Sequence, residues 1–104
     1  LVDVLRAALQ PFAESIDAAF VYGSMAAGTE HERSDVDVML VGSIGFREAV
    51  AALHDAQAAV GREINPSVMA SEEFRRKRAA GDPFVTTVWG APKLWVIGGA
   101  NELG

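Results

Sequence analysis

The chain of 104 residues contains no cysteine. That absence excludes a disulfide framework, thiolate catalysis and a zinc–cysteine site, and it fits a reducing cytoplasm, where the protein is expected to reside. It also lacks an excess of positive charge. Nine Lys and Arg stand against fourteen Asp and Glu, a net charge of -5 with histidine neutral. The domain as a whole is therefore no general polyanion binder, and direct nucleic-acid binding is not expected of it. No apolar run approaches the ~18 residues that cross a bilayer, so no membrane association is expected. No basic-then-apolar leader opens the chain. Internal repeats, low-complexity segments and linkers are likewise missing. The first residue is Leu1 rather than Met, which leaves open a piece trimmed from a longer protein.

What is present reads as one soluble globular domain over residues 1–104. Half the residues are hydrophobic and 22% are charged, the balance of a folded domain with a modest core. Apolar spacing at Val2, Leu5, Leu9 and Phe12 predicts a helix over 2–15, kinked or restarted at Pro11. The run "AAFVY" (18–22) predicts a buried strand. "GSMAAG" predicts a turn and a short helix closed by Gly28. "DVDVMLV" (35–41) predicts a strand exposed at its start and buried at its end. One long helix is predicted over 46–61, with Phe46, Val50, Leu53 and Val60 near one face and Gly61 as its stop. "REINPSVM" predicts a strand that Pro66 places at a sheet edge or a strand end. Two further helices are predicted, over 71–81 capped by Ser71 and over 82–90 opened by Asp82 and Pro83. "PKLWVIG" predicts the last strand, and "GANELG" a frayed tail. Alternating helices and strands imply an α/β or α+β fold with a mixed sheet flanked by helices.

Chemistry concentrates in residues 20–42, "FVYGSMAAGTEHERSDVDVMLVG". On a strand, Asp35 and Asp37 share one face, roughly 6–7 Å apart at Cα. Val36 and Val38 then point the other way, into the core. Two carboxylates so close repel one another, and burial raises the cost. A divalent cation offsets it, and hard oxygen ligands suit Mg²⁺ or Mn²⁺. In the preceding turn, Gly23 lets backbone approach a ligand closely. The Ser24 hydroxyl and nearby free N–H groups suit a phosphate. A phosphate seat beside paired acids points to metal-assisted phosphoryl chemistry. An Asp-x-Asp alone is common at solvated strand ends. A strand, Gly-Ser, ten residues and then Asp-Val-Asp opening another strand form a far more specific pattern.

That segment resembles the signature of the DNA polymerase beta-like nucleotidyltransferase superfamily, in its minimal bacterial and archaeal branch. The later pieces "GREINPSVMASEEFRRK" and "PKLWVIG" look like versions attached to a winged-helix domain. The resemblance implies transfer of a nucleoside monophosphate from an NTP, with ATP the expected donor, to a protein, RNA or small-molecule hydroxyl. It implies that Gly23 and Ser24 hold the triphosphate and that Asp35 and Asp37 bind two Mg²⁺ or Mn²⁺ ions. A third carboxylate is expected on a later strand, and Glu63 is its candidate as metal ligand and general base. Asn65, on the same face, is a weaker alternative. Two positions depart from the family pattern: Glu63, where Asp is more usual, and Ala27, where many relatives carry Arg.

Other polar residues are read more plainly. Arg75, Arg76, Lys77 and Arg78 are spread around about one helical turn, so they cannot all serve one groove. His31 is read as an exposed loop residue, His54 as a helix-surface residue and Lys93 as an edge-strand charge. Trp89 and Trp95 are read as core or partner-interface residues. The rival function keeps the same pocket without turnover. It is a nucleotide- and metal-binding sensor or antitoxin-like module attached to a DNA-binding domain or a helical partner.

Overall fold

The computed structural model describes residues 1–28 and 35–103. His31 lies outside them. Four strands form a mixed sheet in the order β3-β2-β1-β4. The central pair, β1 (Ile16–Tyr22) and β2 (Val36–Gly42), is antiparallel. The edge strand β4 (Leu94–Ile97) runs antiparallel to β1, and the other edge strand, β3 (Ile64–Met69), runs parallel to β2. A parallel neighbour requires a crossover, and α3 (Phe46–His54) and α4 (Ala56–Val60) supply it. Pro66 sits on the edge strand β3, as its missing N–H demands.

Helices cover both sheet faces, which is why the central strands read as continuous apolar runs. On one face, Ala19, Val21, Val36, Val38 and Leu40 pack against Leu5 and Leu9 of α1 (Val2–Leu9) and against Ala49 and Leu53 of α3. On the other, Ala18, Phe20, Met39 and Val41 pack against Phe74 of α5 (Ser71–Ala79), Val85 and Val88 of α6 (Pro83–Gly90), and Leu103. Each large side chain buried in this way stabilises the fold by about 1.5–3 kcal/mol. The Arg6 Nε donates to the Val96 carbonyl at 2.9 Å and ties α1 to β4.

Several local expectations hold. Pro11 restarts the first helix as a 3-10 turn over Gln10–Ser15. Gly28 closes α2 (Ser24–Ala27) in the left-handed conformation. The Asp82 side chain accepts from the Val85 N–H at 3.0 Å and caps α6. Three expectations fail. The helix over 46–61 divides at Asp55 into α3 and α4, and its apolar stripe faces outward at Phe46 (58% exposed) and Val50 (41%). The small residues Ala49 and Ala56 seat with Leu53 on the sheet instead, because they allow close approach. Ser71 does not cap α5; it is the first helical residue, and its hydroxyl donates to Asp17. The terminal segment is not frayed: Ala100–Glu102 form a 3-10 turn that buries Leu103 completely.

Candidate active site

Strand alternation sets the site. Asp35, Asp37 and Met39 share a face, and Met39 is fully buried in the core under α5 and α6. The cover thins toward the start of β2: Asp37 is half-buried and Asp35, one residue before the strand, is exposed. Val36 and Val38 point into the opposite core, as expected. The two acids therefore stand on a ledge where the second core opens to solvent.

Backbone register brings three elements to this ledge. Asp37 lies opposite Tyr22 on β1 and opposite Asn65 on β3. The Asn65 amide donates to the Asp35 carboxylate at 3.2 Å. Gly23 follows Tyr22 directly, with φ 77° and ψ -153°, a region open essentially to glycine alone. A Cβ at Gly23 would stand 2.6 Å from Asp37 Oδ2. The glycine thus has two tasks, the turn itself and contact with the carboxylate. Ser24 opens α2 half-buried, and Met25 and Ala26 of that helix pack on the first core.

Electrostatics single out Asp37. Partial burial, and then the adjacent Asp35 charge, hold its carboxyl above the ordinary value of 3.8. A nearby cation would relieve both effects. The donor set suits a hard divalent ion: two carboxylates with an amide beside them, all oxygen-bearing groups. Glu63 lies exposed just before β3, where its carbonyl accepts from the Val36 N–H at 2.8 Å. Among the described residues, no three His, Cys, Asp or Glu side chains gather as a metal-holding group. The structure therefore brings Asp35, Asp37, Gly23 and Asn65 together and leaves the Glu63 carboxylate outside that group.

The basic helix has structural engagements. Arg75 donates to the Glu102 carbonyl at 3.0 Å, Lys77 pairs with Glu73 at 3.3 Å, and the Arg78 guanidinium lies 4.5 Å from the centre of the Trp89 ring. Lys93 is no bare edge charge. Its Nζ donates to the carbonyls of Trp89 and Ala91 and lies over the Trp89 ring, and burial lowers its pKa. His54 is exposed on α3, as read from the sequence. One feature was not foreseen: the Tyr22 ring, on the acids' face, meets the ring of Phe84 at 6.4 Å and 77°. The cross-strand register of the Tyr-Gly-Ser run with the Asp-Val-Asp run was the available signal for Tyr22. Nothing local pointed to Phe84.

Comparison with known proteins bears directly on this geometry. The family model described as "Polymerase beta, Nucleotidyltransferase" matches residues 5–65, more than half of the chain. The chain belongs to this nucleotidyltransferase family. The matched segment of the nucleotidyltransferase domain contains Gly23, Ser24, Asp35, Asp37, Glu63 and Asn65; α5, α6 and β4 follow it. Two solved structures share the fold. A toxin-antitoxin crystallised with AMP-PNP superposes with TM-score 0.63 at 10% identity, covering 97% of this chain and 76% of that one. A mutant form of the toxin-antitoxin MntA-HpeT superposes with TM-score 0.66 at 8% identity, covering 99% and 77%. No curated protein matches the chain. Among the described residues, no helix is long and apolar enough to cross a membrane.

Proposed function

We propose that this nucleotidyltransferase domain moves a nucleoside monophosphate, AMP from ATP, onto an acceptor hydroxyl in a divalent-metal-dependent reaction. The observation that carries the reading is the shared face of Asp35 and Asp37 with the Gly23 backbone against the Asp37 carboxylate. Asp35 and Asp37 would hold Mg²⁺ or Mn²⁺, with Glu63 the candidate third ligand. Bound there, the ions would neutralise the triphosphate and favour the deprotonated acceptor. Gly23 and Ser24 would receive the triphosphate at the turn, the glycine by leaving room and the serine through its hydroxyl. The acceptor oxygen attacks the α-phosphorus, the bond to the bridging oxygen breaks, and pyrophosphate departs with that electron pair. The hydroxyl proton passes to a base, for which Glu63 is the candidate. Such chemistry asks the protein mainly for position and charge complementarity.

A second reading is favoured by one observation: among the described residues, the two aspartates are joined by Asn65 rather than by a third carboxylate. The pocket would then hold nucleotide and metal without turnover and report that state to a helical protein partner or a fused winged-helix domain. The structural likeness to toxin-antitoxin proteins supports a protein partner under either reading. Incubation with α-labelled ATP, Mg²⁺ and cell lysate separates the two. A labelled acceptor that disappears with Asp35→Asn supports transfer. Mg²⁺-dependent ATP binding without label transfer selects the sensor.

A further inference from the structure

We propose that Tyr22 and Phe84 form the seat of the nucleotide's base, which the domain holds by its flat face rather than by its edges. The inference rests on the nucleotide-binding reading of the acid ledge and adds to it the substrate's second point of attachment. Four observations carry it. First, Tyr22 is the ladder partner of Asp37, so its ring starts one cross-strand step from the carboxylate, on the same face of the sheet. Second, Phe84 meets that ring edge-to-face and is still 45% exposed, so the pair presents aromatic surface to solvent beside the acids.

Third, the packing of α6 does not require a ring at this position. The helix seats Val85 and Val88 in the core, and Phe84 lies off that stripe. Fourth, the ring is held firmly. Pro83 fixes the backbone at the first helical residue, and the Asp82 carboxylate caps the first turn through the Val85 N–H at 3.0 Å. Below, Tyr22 rests on Phe20, with ring centres 6.2 Å apart, and Phe20 rests on Trp95 at 5.1 Å. A rigid aromatic ledge costs little ordering when a flat ligand arrives. Only a ribose separates the α-phosphate from its base, so a triphosphate anchored at Gly23 and the acids delivers the base to this neighbourhood.

Stacking accepts any base, because every base has a π-face. The test uses calorimetry in Mn²⁺ with three probes: ATP, GTP and inorganic tripolyphosphate. For Phe84→Leu, affinity for ATP and GTP should fall alike, by roughly 5- to 150-fold, the range of one stacked base. Tripolyphosphate affinity should stay unchanged. Phe84→Trp should match or exceed the wild type for both nucleotides, and its exposed position keeps the fold out of question. Equal losses for tripolyphosphate and ATP in Phe84→Leu would overturn the base seat. So would a wild-type protein that binds ATP no better than tripolyphosphate, although the acid site itself would survive that result. A wild type that binds none of the three would remove both the base seat and the nucleotide-binding reading beneath it.

Discussion

Replacing Gly23 with alanine separates what this residue does for the fold from what it does for the site. The fold cost comes from the backbone: φ 77° and ψ -153° are hostile to a side chain, and holding alanine there costs about 1–3 kcal/mol. For a domain near this size, each kcal/mol lowers Tm by about 4–8 °C. The site cost comes from the new methyl, which would stand 2.6 Å from Asp37 Oδ2. That oxygen ends a rotatable side chain, so the clash is relieved by turning the carboxylate away rather than by moving the strand. Stability then loses little more, but a metal ligand is misaimed, an effect of about 10–100-fold in metal affinity. Gly28→Ala is the matched control. Its φ is also positive, at 75°, yet a Cβ there meets nothing within 4 Å. Thermal unfolding and Mn²⁺ titration should show both variants destabilised and only Gly23→Ala impaired in Mn²⁺ binding. Equal Mn²⁺ affinity in the two variants would refute the contact between the turn and Asp37.

Two other perturbations test the electrostatics and the core. Asp37 binds its proton more tightly folded than unfolded, so the stability it contributes is fully present below the unfolded value near 3.8 and is lost as pH rises through the folded value. In metal-free buffer, Asp37→Asn should match the wild type in acid and become the more stable protein as pH rises to neutrality; urea unfolding that shows the wild type gaining on the variant over that range would contradict the burial argument. Leu103→Ala should cost about 2–5 kcal/mol in urea unfolding, because Leu103 is a fully buried member of the second core; a change of a few tenths would mean a dispensable tail.

The sequence made the sheet legible because its strongest signals are local. The apolar runs at 18–21 and 38–41 are buried on both faces, and Gly28, Gly61 and Asp82-Pro83 end or start helices where their backbone chemistry requires. The failures arise where tertiary packing chooses among local options. Periodicity in 46–61 allows either a Phe46/Val50 face or an Ala49/Leu53/Ala56 face, and only the sheet's demand for close approach selects the latter. Ser71 has the chemistry of a cap, but Asp17 claims its hydroxyl across a long sequence separation. At the site, the pairing of Asp35 with Asp37 follows from strand parity. The parallel register between β2 and β3 sets Asn65 opposite Asp37, from where its amide reaches the Asp35 carboxylate, a placement no local pattern encodes. The same is true of Phe84, brought to Tyr22 by the docking of α6.

Mn²⁺ titration followed by electron paramagnetic resonance tests the acid ledge most directly. Wild-type protein should take up Mn²⁺, and Asp35→Asn and Asp37→Asn should each lose that uptake while still unfolding cooperatively. Unchanged Mn²⁺ affinity in both variants would contradict the claim that these carboxylates tolerate each other because a cation belongs between them.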